Sequence, residues 1–389
     1  MDKILSVELS GNRNAYAEAM LPLTPYEMMD VLDKLHMTPQ EQPDWEILEH
    51  LGHPELHDWI GSGSLYELNA LCTRLAELNV QESAVFEGLV EMEKEKGAKI
   101  IPMHRLLDLA YSTDQCHLLD DVHTTEQLGR FAAENGFIPE ADDIPDEAFE
   151  LLNFRKIGEK FMSGEGGVIV PGGYVAQDGD LEQDVWKTLE LTPRKPDYTI
   201  LVELTNVNTE STLKLSLPCD WQELDKKVSA LIGNEQHDFT CNCIDCGVPA
   251  LRGVIPDAGM EIGEVNYFAG HLAELSESQM LTYKAAVEAM GIASLDAAAE
   301  LMQNVDEYIL SPALGSFEEI ARYDLQFSLG DKEASILIPH VNLYQYGRAL
   351  QEAQHFVLTD YGRFQREDCQ PLMAEKEQEQ PAMGRMGMM

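Results

Sequence analysis

The sequence predicts an α+β protein made of two tandem copies of one elongated module. We expect each copy to hold a small α+β piece, a helical bundle-like part and a terminal β segment. The first observation is a repeated phrase: ELNALCTRLAEL at 67–78 returns as EVNYFAGHLAEL at 264–275. The second is that apolar residues around both phrases alternate as in strands or recur at helical spacing. The third is size, because 389 residues with 44% hydrophobic content can fill more than one core.

Blocks of matching residues extend the repeat over most of the chain. An offset of 197 places Glu67 on Glu264 and Glu77 on Glu274, and an offset of 192 then places Asp114 on Asp306. The order of the blocks is preserved, and the offset changes by only a few residues between them. A period this long predicts two globular modules rather than a solenoid of short repeats.

The predicted domains follow from the repeat. Copy 1 has a small α+β subdomain and then a helical plus β subdomain, and copy 2 repeats this order after a polar linker. We expect the Met-rich C-terminal tail to be disordered, because it lacks apolar periodicity. The predicted boundaries are 1–60 and 61–175 for copy 1, 176–197 for the linker, 198–258 and 259–365 for copy 2, and 366–389 for the tail.

Each α+β subdomain is predicted to contain two strands followed by an amphipathic helix. In copy 1, Thr24 is the expected N-cap and Pro25 the first helical residue, and in copy 2 Asp220 takes the capping position. The predicted strands lie at 4–11, 15–23, 198–208 and 212–218.

Four amphipathic helices are predicted in the middle of each copy. The first helix of copy 1 begins with Ser64 followed by Glu67, which is the pattern of a capping box. Short loops between the helices favour a bundle-like arrangement. An apolar β-like run at 166–175, and another at 355–364, is expected to pair with other strands.

The charge is the most unusual property of the composition. The chain has 69 acidic and 27 basic residues, a net charge of −42, and the excess is spread over both copies. Such a surface repels nucleic acid and anionic membranes and favours a basic partner. A halophilic origin would also explain a large negative charge. The N-terminus lacks the apolar region of a signal peptide, so we expect reduced cysteines and a cytoplasmic protein.

One stretch, HDFTCNCIDCG at 237–247, could bind zinc. It supplies four weak candidate ligands: His237, Cys241, Cys243 and Cys246. The spacing departs from paired zinc motifs and copy 1 lacks an equivalent, so a small strand with reduced thiols is favoured. The sequence also lacks a phosphate-binding loop, a zinc-protease motif and a nucleophile elbow. We therefore expect no cofactor and no enzymatic activity, and a zinc-dependent enzyme is a remote alternative.

The order of these blocks resembles the ArdA family of antirestriction proteins. The repeated L-A-E-L phrase, the helix with F/Y-x-x-x-V-E, and NVDEYILSPALGSFEEIARY at 304–323 carry this resemblance. It implies an elongated, acidic protein of a mobile element whose carboxylates imitate the phosphates of B-DNA. It further implies that the partner is the DNA-binding groove of a type I restriction-modification enzyme, with a homodimer as one possible state. The spacing of Cys241, Cys243 and Cys246 departs from the family pattern.

The predicted partner-binding group is an ensemble of carboxylates, each of which alone could equally be a solvated charge or a helix cap. The alternative function is an inhibitor or adaptor for another basic partner, such as a different defence nuclease or a nucleoid protein. The carboxylates are Glu67, Glu77, Asp114, Asp120, Asp121, Glu126, Glu140, Asp142, Asp143, Asp146, Glu147, Glu264, Glu274, Asp306, Glu307, Glu318 and Glu319.

Overall fold

The computed structural model describes residues 2–138, 145–232, 239–255 and 262–372. Its mixture of helices and small sheets confirms the α+β class. Two compact units are present: unit 1 contains Met1–Thr24 and Met37–Arg194, and unit 2 contains Pro25–His36 and Lys195–Met389. In the part of the chain that is described, no helix is both long and apolar enough to cross a membrane.

The first half of the chain holds thirteen elements among the described residues. In chain order these are β1 (Leu5–Ser10), β2 (Tyr16–Leu21), α1 (Pro25–Lys34), β3 (Asp44–His50), α2 (Leu65–Leu75), α3 (Val80–Glu95), α4 (Met103–Ala110), β4 (Cys116–Leu119), α5 (Thr125–Glu134), α6 (Asp146–Phe149), α7 (Phe154–Glu165), β5 (Val168–Val170) and β6 (Gly173–Gln177).

The second half has the same order of seven α-helices and six strands among the described residues. Its elements are β7 (Ile200–Asn206), β8 (Thr212–Leu217), α8 (Trp221–Ile232), β9 (Phe239–Cys246), α9 (Ile262–Glu274), α10 (Glu277–Met290), α11 (Leu295–Gln303), β10 (Tyr308–Ser311), α12 (Phe317–Leu329), α13 (Asp331–Leu337), α14 (Leu343–Gln354), β11 (Val357–Thr359) and β12 (Gly362–Arg366).

Each unit contains two antiparallel sheets of three strands. The N-terminal sheets have the orders β2-β1-β3 and β8-β7-β9, and the later sheets have the orders β4-β6-β5 and β10-β12-β11. The central strands β1 and β7 alternate buried and half-buried side chains, as expected for a sheet with one covered face. In both N-terminal sheets the register shifts at the second residue of the central strand.

A repeated asparagine fixes the loop between the second strand and the following helix. In unit 1 the Asn69 side chain accepts a hydrogen bond from the Leu23 backbone N–H at 2.6 Å and donates one to its carbonyl at 3.2 Å. In unit 2 Asn266 makes the same two bonds with Cys219, at 2.8 and 3.0 Å. The asparagine of the repeated phrase therefore ties the helix start to the loop, while the adjacent leucines fill the core.

Close helix packing depends on glycine in both units. Helices α5 and α7 pack together at Gly129 and Gly158, where a Cβ on Gly158 would come within 1.8 Å of the Thr125 carbonyl oxygen. In unit 2 a Cβ on Gly347 of α14 would come within 2.2 Å of the Phe317 carbonyl oxygen of α12. Neither α7 nor α14 was predicted from the sequence, although Gly158 and Gly347 occupy corresponding positions of the repeat.

Helix α1 has the predicted start at Pro25 but groups with unit 2, although the residues before and after it belong to unit 1. The sequence predicted it as part of the first subdomain, 1–60. The division between the units at Arg194 and Lys195 otherwise lies at the end of the predicted linker. Arg366, predicted as the first tail residue, lies in β12 in register with Tyr308.

Candidate acidic interface

Exposed carboxylates in unit 1 cluster around β4. Asp114 lies in a short 3-10 helix before the strand, Asp120 and Asp121 follow the strand, and Glu126 lies in the first turn of α5. All four are exposed, and among the described residues no basic side chain forms an ion pair with them. The partial positive charge at a helix N-terminus favours an acidic residue in the first turn, so Glu126 has a favourable interaction without a cation beside it. We call these four residues the acidic rim of unit 1.

The corresponding region of unit 2 is similar but partly compensated. Asp306 lies in the equivalent 3-10 helix and accepts a hydrogen bond from the Gln279 amide at 2.9 Å. Glu307 is exposed with Arg366 at 3.9 Å, and Glu318 is exposed in the first turn of α12. We call Asp306, Glu307 and Glu318 the acidic rim of unit 2. Asp306 and Glu318 thus occupy the positions that Asp114 and Glu126 hold in unit 1.

Two of the predicted carboxylates have a structural role in helix capping. Glu67 is half-buried and accepts hydrogen bonds from the backbone and hydroxyl of Ser64, at 2.8 and 2.9 Å. Glu319 is also half-buried and accepts from the backbone N–H groups of Gly315 and Ser316, at 2.9 and 3.1 Å. Both residues complete capping boxes that begin their helices. Because these oxygens already satisfy helix N-termini, we leave both residues out of the rims.

Three further predicted carboxylates lie between α2 and α3 or on α9. Glu77 is exposed, with its carboxylate 3.9 Å from Arg74. Glu264 and Glu274 are exposed on α9, and Glu274 lies 3.3 Å from the His271 imidazole. Glu264 and Glu274 border a groove of about 770 Å³ in unit 2 that also contains the exposed ring of Tyr267. These residues are available to a partner but are separate in sequence from the rims.

The acidic segment before α7 is only partly covered by the structure. Glu140, Asp142 and Asp143 lie outside the described residues. Asp146 and Glu147 form the start of α6, but their side chains also lie outside what is described. Their assignment to a binding surface stays a prediction.

The candidate zinc ligands lie on or near β9. Cys241, Cys243 and Cys246 are buried cysteines of this strand, and His237 lies outside the described residues. Burial raises the pKa of Cys246 to about 12 and also raises that of Cys243, which opposes the thiolate form that zinc requires. Within the ranges that the structure describes, no group of three or more potential ligands is arranged around a metal position.

A buried ion-pair cluster on α1 was missed at the level of sequence. The Lys284 side chain is 4% exposed, and its ammonium lies 2.9 Å from Asp30 and 2.8 Å from Asp33. The Tyr361 hydroxyl donates a hydrogen bond of 2.8 Å to Asp30, and Lys34 approaches the same carboxylate at 3.5 Å. Burial disfavours the Lys284 ammonium, but the two carboxylates outweigh this and its pKa is raised. The sequence feature that could have indicated this cluster is a lysine between Tyr283 and two alanines that are buried.

Further polar contacts hold the N-terminal end of α1 in unit 2. The Tyr26 backbone N–H donates to the Asp245 carboxylate at 3.3 Å, and the Tyr26 hydroxyl donates to the Tyr198 carbonyl at 2.5 Å. Burial, followed by the nearby Asp245 charge, raises the pKa of Tyr26 to about 12, so this hydroxyl remains a donor at neutral pH. Glu27 forms an ion pair with Arg252. The backbone, the Tyr26 hydroxyl and the Glu27 carboxylate of α1 therefore all make polar contacts within unit 2.

A scan against protein-family models finds no matching family, and a search of curated proteins finds no significant relative.

Proposed function

We propose that this protein is a DNA-mimicking inhibitor that occupies the basic DNA-binding groove of a host defence enzyme, with a type I restriction-modification complex as the first candidate. On this proposal the chain is a tandem duplication of an ArdA-like module, acts in the bacterial cytoplasm and catalyses no reaction. The observation that carries the proposal is the pair of acidic rims, which place exposed carboxylates on equivalent positions of the two units.

The size of the charge excess supports mimicry of a duplex. Even if every lysine and arginine neutralised one carboxylate, 42 carboxylates would remain. B-DNA carries about one charge per 1.7 Å of axis, so this excess corresponds to roughly 70 Å, or about 20 base pairs. A groove lined by lysine and arginine would gain affinity from such a ligand through the same electrostatic attraction that it uses for DNA.

Competition with DNA tests this proposal. Fluorescently labelled duplex would be bound to a purified type I methyltransferase complex, and the protein would be titrated in at several salt concentrations. We expect complete displacement of the duplex, with an inhibition constant that weakens steeply as salt rises. Binding to the complex without loss of DNA would refute mimicry and favour an adaptor for another basic partner.

A charge-matched pair of variants tests the role of the unit 1 rim. The first neutralises the rim by Asp114→Asn, Asp120→Asn, Asp121→Asn and Glu126→Gln. The second removes four exposed charges from the N-terminal sheet by Glu18→Gln, Asp44→Asn, Glu46→Gln and Glu49→Gln. We expect at least about a tenfold loss of competition in the rim variant and a smaller loss in the sheet variant. Equal losses would show that net charge matters and that the rim has no special role.

A further inference from the structure

The two units use equivalent helices differently. Helix α1 packs against β9 and the short 3-10 helix Pro249–Leu251 of unit 2, where its acidic residues meet Lys284 and Arg252. Helix α8 is its counterpart in copy 2, because the asparagine bonds to Leu23 and Cys219 place the two helix starts at equivalent positions. On this alignment Met28 corresponds to Leu224, and both residues are 3% exposed.

The outer face of α8 is exposed where that of α1 is covered. Asp30 is 7% exposed, whereas its counterpart Lys226 is exposed, as are Gln222 and Ser229 on the same side of α8. Among the described residues, no carboxylate forms an ion pair with Lys226. The helix that is covered in one copy is therefore uncovered in the other.

Unit 1 contains an open groove at the position that receives α1 in unit 2. The groove has a volume of about 610 Å³. Its walls come from the residues before β1, the loop after β3, and the start of α3, with Gly172 between β5 and β6 at one edge. In unit 2 the corresponding positions include Tyr198, Lys284 and Tyr361, which contact α1. The groove in unit 1 is thus the uncovered counterpart of the α1 site.

One charge pair between the helix and the groove is reversed. In unit 2 the helix supplies Asp30 and the site supplies Lys284. In the other pair the helix supplies Lys226, and the groove supplies Glu87, which follows the buried Phe86 as Lys284 follows the buried Tyr283. Burial, followed by the charges of Glu55 and Glu91, raises the pKa of Glu87, and the charges of Lys94 and His53 offset this only in part.

We propose that α8 of one chain docks in the groove of unit 1 of a second copy of the same chain, with Lys226 facing Glu87. The helix and the groove are different surfaces, so the contact is heterologous, and each chain contributes one of each. Association is therefore either reciprocal, closing a dimer through two identical docking contacts, or head to tail, giving larger rings or open oligomers. The opposite charge pattern prevents α8 from replacing α1 at Lys284, since two ammonium groups would meet. This inference does not depend on DNA mimicry.

Sedimentation velocity of the full chain over a concentration series tests the docking. We expect the weight-average sedimentation coefficient of the wild type to rise with concentration. Lys226→Glu and Glu87→Lys each place like charges together, and we expect each to require at least about tenfold higher concentration for the same rise. The double variant restores opposite charges and should return association to near the wild-type level. Lys160→Glu, an equal charge change at an exposed position of α7, is the control and should associate like the wild type.

Zero-length cross-linking identifies the contact and its partner. A carbodiimide, itself converted to its urea, would join the Glu87 carboxyl to the Lys226 amine as an amide with loss of water. An equal mixture of ¹⁴N and ¹⁵N protein should then give 87–226 cross-linked peptides that contain one light and one heavy segment. Cross-links within single chains only, a concentration-independent monomer, or singles that are not rescued in the double variant would each overturn the proposal.

Discussion

The buried ion-pair cluster on α1 gives the sharpest test of how unit 2 is stabilised. Replacing Lys284 with methionine keeps most of the side-chain volume but removes the ammonium between Asp30 and Asp33. The Asp30 side chain is only 9% exposed, so its carboxylate would remain buried without its closest cation. The Lys284→Met change therefore tests the electrostatic role of the lysine separately from its packing.

The expected cost follows from the partners that remain. Breaking a buried ion pair on one side costs about 3–5 kcal/mol. Asp30 would keep the Tyr361 hydroxyl at 2.8 Å and Lys34 at 3.5 Å, and the Asp33 side chain is 41% exposed and can rehydrate. We therefore expect the lower end of this range, about 3 kcal/mol. Adding Asp30→Asn to Lys284→Met removes the stranded charge and should recover most of this loss.

Urea unfolding monitored by hydrogen exchange provides the measurement. With a slope of about 2–3 kcal/mol per M urea, the single variant should lower the midpoint of unit 2 by roughly 1–1.5 M. Protection should fall in α1 and α10 peptides first. Because the pKa of Lys284 is raised, this stabilisation is fully present below about pH 10 and is lost as pH rises through the raised pKa. A cost below about 1 kcal/mol, or a double variant no more stable than the single, would refute the reasoning.

Three further expectations concern capping, helix packing and a groove carboxylate. Glu319→Ala should lower stability by about 1 kcal/mol through loss of a capping box. The adjacent Glu318→Ala should cost less, about 0.3 kcal/mol through loss of a favourable first-turn charge, and should weaken partner binding. Gly158→Ala should destabilise the protein by about 1–3 kcal/mol or more because the added Cβ meets the backbone of α5. Gly164 lies in the same helix, but a Cβ there would meet no other atom, so Gly164→Ala should be neutral or stabilising. Calorimetry of both variants separates the effect of packing from that of helix propensity. Glu87→Gln should stabilise unit 1 at pH 7, because the wild-type carboxylate is ionised in a place that raises its pKa. The gain in stability should shrink as pH falls through this raised pKa, which denaturant unfolding at several pH values would follow. A gain that does not change with pH would contradict this prediction.

Local signals explain why many elements were predictable. The capping box at Ser64 and Glu67 and the Asp220 cap depend on residues within one helical turn, and both form as predicted. Strand β1 was predicted from its alternation, which reflects a single covered face. Strand β4 was missed because its four half-buried residues show no alternation, and its pairing with β6 depends on residues about 60 positions away.

The acidic interface was likewise predictable in part from local sequence and in part only from the structure. Sequence indicated which regions are rich in carboxylates, but Glu318 and Glu319 are neighbours with different roles, since one is exposed and the other caps a helix. Side-chain direction at a helix start decides this, and direction depends on the helix register. The rims therefore required the structure, even though the predicted residues contain all of their members.

By itself, the sequence determined the α+β class, the recurring blocks and the excess of negative charge, because these follow from composition and from patterns within short segments. Only the tertiary structure decided that α1 groups with unit 2, that Lys284 is buried between Asp30 and Asp33, and that α8 remains uncovered. Each of these depends on contacts between residues far apart in the chain. Local propensity does not encode such contacts, because their energy comes from burial and charge pairing that exist only after the chain has folded.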